Sequence, residues 1–379
     1  MSSSSSSSAA GWLPGWNKRL ALTIDSSLVD ADLTNFPVLI HLSSSSGISS
    51  KDVTKVFDEV GENSKKIAVT QPDGVSQCYV EIEEWIGDSP IDSNSESSSS
   101  EGIIDGRNAY LWSKIPLIER DIDTILYLYY DNAHADNTTY VGDVNSAVGS
   151  NVWNSGYKAV YHLSESGIGT RFDSTSNNHD GTPQNYDGDE DVKAKINGGD
   201  SLDGADDWIL VGDSVDWDFG KNDFTIDFWI NPVSNTDWQG IMSAGKVSSP
   251  YGWTVYSRTS GWIRLSVDGG STDIIRSVNA KDLGVWNHFV ITRKGIGAND
   301  LEIYKNGSIN NSASGNVDVD GTGACFEIGR YYCNYDGFYV PAIMDEVRIS
   351  KANRSASYIK ADYNSGNDSL ITFGDEELV

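Results

Sequence analysis

The chain has little cysteine (3 residues), little methionine (3) and little proline (9) in 379 residues. Three cysteines cannot build a disulfide framework. Cys325 and Cys333 could pair across a hairpin, with Cys78 left alone. Basic residues are scarce too: 27 Lys and Arg stand against 55 Asp and Glu, a formal charge of −28. That balance excludes nucleic acid as a partner, because phosphate binding needs Lys and Arg stripes to displace counterions. It suits a soluble surface protein in salt water or beside divalent cations. No apolar run approaches the roughly 18 to 20 residues that cross a bilayer, so membrane insertion is not expected. The opening MSSSSSSSAAGW lacks the basic and apolar regions of a secretory signal.

Catalytic signatures are missing as well. There is no Gly-x-Ser-x-Gly elbow and no phosphate loop. The histidines (His41, His134, His162, His179 and His288) are scattered, with no HExxH and no i, i+4 pair, which leaves zinc without support. His162 and His288 fall in strand patterns and read as core or edge histidines. Glu81 and Glu83 share a strand face but lack a third acid. The chain is expected not to be an enzyme.

What is present is β-pattern. RLALTID (19–25), FPVLIHL (36–42), KIAVTQ (66–71), CYVEIEEW (78–85), AYLWSKIPL (109–117) and TILYLYY (124–130) alternate with period two and are separated by turn residues. A second series, including FTIDFWINP, GWTVYSR, WIRLSVD, HFVITRK and MDEVRIS, follows from Tyr157. The good helix candidate is short, near Ser355–Asp362. This predicts an all-β protein of two β-sandwich domains. The expected division is a Ser leader at 1–10, a first sandwich at 11–136 with a Ser-rich acidic loop at 86–107, a linker at 137–154 and a second sandwich at 155–376.

Particular blocks carry resemblances. AVYHLSE (159–165), FDSTSNNHDGT (172–182), LDGADDWILV (202–211), DFTIDFWINP (223–232), WNHFVITRKG (286–295), LEIYKNG (301–307) and MDEVRISKANRSASYIKADYNS (344–365) resemble the laminin-G-like, concanavalin A-type jelly roll. WNKRLALTID (16–25), LTNFPVLIHL (33–42), DGVSQCYVEIEEW (73–85), LWSKIPLI (111–118) and DTILYLYYDNAHA (123–135) resemble a domain of unknown function. That domain often precedes laminin-G-like domains in bacterial, archaeal and phage proteins. Glycoside hydrolases of the concanavalin A-type fold set three acids on one strand as Glu-x-Asp-x-x-Glu. No such string occurs here.

The resemblance implies a structural calcium between a turn carboxylate and one on a late strand. Asp173 and Asp345 are the candidates, with Asn178 as a weaker third ligand and Asp203 as an outlier. The competing reading makes Asp173 an Asx-turn and Asp345 an edge-strand cap. DGDEDVK (187–193) has a calcium-loop composition without the spacing of an EF-hand, and reads as a solvated loop. For sugar recognition, Trp238, Tyr251, Trp253, Trp262, Tyr331, Tyr332 and Tyr335 lie in turn-rich segments. The densest is YYCNYDGFY (331–339), which offers Tyr331, Tyr332, Asn334, Tyr335 and Asp336 as a ligand surface. Trp229 and Trp286 are expected in the core.

The functional expectation is a non-enzymatic virion or cell-surface adhesion protein that binds a glycan or a neighbouring surface protein, with a homo-oligomer as a further option. The alternatives are a purely architectural protein, or a carbohydrate-active enzyme using Glu81, Glu83 or Asp336.

Overall fold

Period-two alternation sends successive residues to opposite faces, and the computed structural model shows it as alternating burial in strands such as Trp208–Val211, whereas Gln239–Ala244 and Asn287–Arg293 are buried on both faces. The structure describes residues 11–88, 105–153, 156–245, 252–270, 272–321, 323, 325–332 and 337–379. The Ser leader, most of the 86–107 loop, Tyr251, Cys333, Asn334, Tyr335 and Asp336 lie outside the described residues. The chain forms two compact units. One holds residues up to Val152 together with Asn364–Val379, and the other holds Trp153–Tyr363.

In the first unit β1 (Lys18–Ile24), β2 (Leu33–Leu42), β3 (Ile67–Thr70), β4 (Gln77–Cys78), β5 (Val80–Ile86), β6 (Asn108–Ile118), β7 (Thr124–Tyr130) and β8 (Val141–Asp143) form two sheets. One has the order β2-β6-β5-β8. The other runs from the C-terminal strand Ile371–Leu378 through β1, β7 and β3 to β4. Leu20, Leu22 and Ile24 of β1 and Leu126 and Leu128 of β7 are wholly buried. Burial of such side chains contributes about 1.5–3 kcal/mol each.

Two expected boundaries move. The segment read as a linker, 137–154, supplies β8, which pairs in parallel with β5 through Val80↔Val141. The last strand, assigned above to the second domain, pairs with β1 through Lys18↔Leu378 and Ile24↔Ile371. A hydrophobic alternation says that a strand exists but not which edge will take it.

The second unit has β9 (Tyr157–Tyr161), β10 (Gly181–Gln184), β11 (Asp191–Lys193), β12 (Gly198–Asp203), β13 (Trp208–Val211), β14 (Phe224–Pro232), β15 (Gln239–Ala244), β16 (Trp253–Ser257), β17 (Trp262–Val267), β18 (Thr272–Ala280), β19 (Asn287–Arg293), β20 (Leu301–Lys305), β21 (Ser308–Ala313), β22 (Phe326–Ile328) and β23 (Pro341–Ser350). A seven-stranded sheet has the order β10-β13-β22-β15-β16-β17-β18. An eight-stranded sheet has the order β11-β12-β23-β14-β19-β20-β21, with β9 pairing to β23. Between them lies one core of Ile226, Phe228, Trp253, Val255, Ile263, Phe289 and Ile291, closed at one end by Trp217 and Phe219. A helix, Ala356–Gly366, follows β23.

Trp229 is buried, but on the outer side of its sheet, stacked on Tyr363 of that helix at 5.6 Å. Trp286 is partly exposed at the turn before β19, rather than core. Cys325 is disulfide-bonded and Cys78 is free and buried.

Truncation after Ser369 should strip β1 of its outer partner. Hydrogen exchange is expected to show faster exchange of the β1 amides, while β14 and β19 keep their protection. Unchanged protection in β1 would contradict the pairing.

Candidate glycan-binding surface

The proposed calcium ligands are each engaged in a different way. Asp173 is buried, and its carboxylate accepts from the amides of Val160 (3.0 Å), Thr175 (2.9 Å) and His179 (2.9 Å) and from the Thr175 hydroxyl (2.9 Å). Burial raises its pKa even against these four donors. Asp345 is wholly buried on β23 and accepts from the Ile196 amide at 2.8 Å. Asn178 is exposed at φ 54°, donating to the Ser176 carbonyl. Calcium needs a shell of oxygens. The groups around Asp173 are N–H and O–H donors, so Asp173 does not fit the ion and closes the 173–179 turn instead. In the 187–193 loop both Glu190 oxygens accept backbone amides, from Asp187 and Gly188.

The histidines of the strand patterns are buried against acids. His162 Nδ1 meets Glu346 at 2.6 Å and His288 Nε2 meets Asp227 at 2.7 Å. Arg348 joins Glu346 (2.5 Å) to Asp362 (2.8 Å). Burial opposes the Glu346 charge, yet His162 and Arg348 hold its pKa below the ordinary value. Asp362 is pushed up to about 6 by burial, against the pull of Arg348. Ligand atoms of Asp227, His288 and Asp362 converge within 4.8 Å of one another. With Arg348 on Asp362, the cluster is an ion-pair network fastening the helix to the sheet.

The aromatic loop divides. Tyr331 and Tyr332 are buried, not a ligand surface: Tyr331 packs edge-on against Tyr256 at 5.3 Å and against Tyr332 at 4.8 Å. They cover the outer face of the seven-stranded sheet, and Trp253 sits in its inner core.

The partly exposed tryptophans lie elsewhere on that sheet. Trp208 precedes the inward Ile209, and Trp262 precedes the inward Ile263, so alternation turns both outward. Trp238 stacks on the outward Tyr256 at 5.4 Å, with the planes 7° apart. The antiparallel register brings all three to one end of the sheet. Ile209 pairs with Ile328, Gln239 with Ser257, and Trp262 with Ala280. Each indole carries a guanidinium: Arg330 lies 4.2 Å from Trp208, Arg258 4.4 Å from Trp238, and Arg276 4.2 Å from Trp262. Arg258 is held bidentate by Asp237 (2.7 and 3.2 Å).

Trp238 and its neighbour Phe338 both have positive φ, 58° and 65°. Bulky residues seldom adopt that conformation, and such strain concentrates at functional sites. It is held by the Gly240 amide, which donates to the Phe338 carbonyl at 2.8 Å. Beneath this ledge Glu327 is buried 3.4 Å from Arg330. Burial pushes its carboxyl up from 4.5 to about 7.

Trp208 escaped the sequence reading because DDWILV looks like continuous core. The signal was its parity against Ile209 and Val211, which places it on the opposite face.

The second unit is a two-sheet β-sandwich. Residues 203–360 match the concanavalin A-like lectin/glucanases superfamily. None of the curated proteins matches the chain. Among solved structures it is similar to domain 4 of an extracellular arabinanase from Geobacillus stearothermophilus in complex with arabinotriose. The identity is 21%, over 55% of this chain and 97% of that one, with a TM-score of 0.44. It is also similar to the binding domain of Paraclostridial mosquitocidal protein 1 (19%; 54% of this chain and 53% of that one; TM-score 0.40). A third is botulinum neurotoxin type C, whose cell entry depends on two ganglioside molecules (13%; 56% and 51%; TM-score 0.40). The chain spans about half the length of the two toxin chains it matches.

Two outcomes follow from the site. Asp173→Ala leaves the buried Val160 and Thr175 amides unpaired, at about 1–3 kcal/mol each, and strips the half-buried His179 amide as well. It should lower the melting temperature equally in EDTA and in calcium, and a loss seen only with calcium would restore the metal. Because the folded pKa of Glu327 is raised, its contribution is full below pH 4.5 and is lost as pH rises through about 7. Melting of the parent chain should therefore fall relative to Glu327→Gln between pH 5 and 8, and parallel profiles would contradict this.

Proposed function

We propose that the chain is a non-enzymatic surface module, displayed on a virion or a cell surface, that binds glycans through its second unit. The observation that carries this is the ledge of partly exposed tryptophans at one end of the seven-stranded sheet, with the accessible Arg258 and Arg276 on two of them and the buried Arg330 against Trp208. A pyranose presents an apolar face and a rim of hydroxyls. Indoles meet the first, and planar guanidinium and carboxylate groups meet the second. The match of residues 203–360 to a lectin and glucanase superfamily supports the same reading. Support for display outside the reducing cytosol comes from the Cys325 disulfide. The loop tyrosines Tyr331 and Tyr332 act here as the floor under Trp238 rather than as contacts.

A glycan array probed with the purified chain tests the proposal. Binding is expected, and Trp238→Ala should reduce it by at least roughly tenfold, about 1.4 kcal/mol. Trp286→Ala, at the turn before β19 of the other sheet, should leave it unchanged. No signal on any glycan, or equal signal from Trp238→Ala, would remove the ledge as the site.

A further inference from the structure

The sheet sets the spacing of the ledge. In the order β13-β22-β15-β16-β17, two strand intervals separate the strand that carries Trp208 from the one that Trp238 precedes. Two more separate the latter from the strand that carries Trp262. Neighbouring strands lie about 4.8 Å apart, so the indoles recur roughly every 10 Å across the strands. Trp238, Arg258 and Trp262 fall in one cross-strand row, because Gln239 pairs with Ser257 and Tyr256 with Arg264. Trp208 continues the row with a stagger along the strands. Phe338, itself 36% exposed and 5.8 Å from Trp238, occupies the side of Trp238 toward the Arg330 end. A single sugar ring can cover one such indole. Only an extended chain can reach three, and the interval is comparable to a disaccharide repeat.

Charge narrows the ligand further. Arg258 is paired with Asp237, Arg330 with Glu327, and Arg264, beside Trp262, with Asp273. Among the described residues Arg276 alone of these arginines makes no ion pair. With the whole chain at −28, the ledge offers hydrogen-bonding planes but little net positive charge. An anionic polymer would meet repulsion at long range.

We infer that the ledge binds the interior of a neutral, extended polysaccharide, with Trp208, Trp238 and Trp262 as three successive contact points. This rests on the glycan-binding reading above and adds to it a polymer length and a charge. Such a site gains affinity by linking contacts along one ligand, so binding grows with chain length until all three indoles are covered.

The test is calorimetric titration with cello-, xylo- and manno-oligosaccharides from dimer to hexamer. Sulfated and uronic-acid oligosaccharides of equal length serve as charged comparators. For at least one neutral series, affinity should climb by roughly a hundredfold from dimer to hexamer, tenfold for each added contact. Trp208→Ala and Trp262→Ala should each return hexamer affinity toward that of a shorter ligand while leaving the dimer nearly unaffected. Trp208→Tyr and Trp262→Tyr keep a ring in place and should preserve the length dependence, which separates loss of contact from loss of fold. Equal affinity for dimer and hexamer would overturn the extended row and leave simple glycan binding standing. Stronger binding of the charged series would overturn the neutral assignment. No binding of any series, with the variants folded, would overturn the glycan reading itself.

Discussion

Strand alternation is the constraint on which the second unit depends. Ile209, Val211, Ile263, Leu265, Val255 and Phe326 must point into the gap between two sheets. Each inward side chain commits its neighbours to the opposite face. Trp208, Tyr256, Trp262 and Arg264 face outward because that commitment leaves them no alternative. Antiparallel pairing then decides which of them become neighbours, since β13, β15 and β17 start at the same end of the sheet where β16, β18 and β22 finish. The ledge is thus a by-product of core packing, and a one-residue slip in any of these strands would disperse it.

Polar burial in the same unit is settled by pairing rather than by avoidance. Arg171 and Asp200 are both wholly buried and meet through two N–H donors at 2.6 and 2.8 Å. Arg348 bridges Glu346 and Asp362 beneath the helix. Such pairs gain little net energy over an apolar core but are costly to break on one side. They act as register pins. Glu346, at φ 51° within β23, sits where the pairing with β14 shifts between Asp227 and Trp229.

The all-β class, the strands and the lectin-type second unit were legible because period-two alternation and turn chemistry are local signals. The placement of the last strand was not, because β1 and Ile371–Leu378 recognise each other only by edge geometry. The candidate site was half legible. Trp238 and Trp262 announced themselves by lying near turns, whereas Trp208 hid inside an apolar run. Tyr331 and Tyr332 misled for the opposite reason: a polar, aromatic loop reads as surface, yet these rings fold back onto Tyr256. Asp173 showed its turn role in DSTSNN but not the number of amides it would collect.

The pairing of β1 with the C-terminal strand also bears on how the chain comes off the ribosome. The first unit's sheet awaits a strand made after every residue of the second unit. During synthesis the second unit has all its strands while β1 still presents an open edge, and domains fold as they become complete. Strand β1, paired early with β7 on one side, therefore has its other edge covered only at the end. Until then it is the place where a second nascent chain, or a chaperone, would find an unpaired strand.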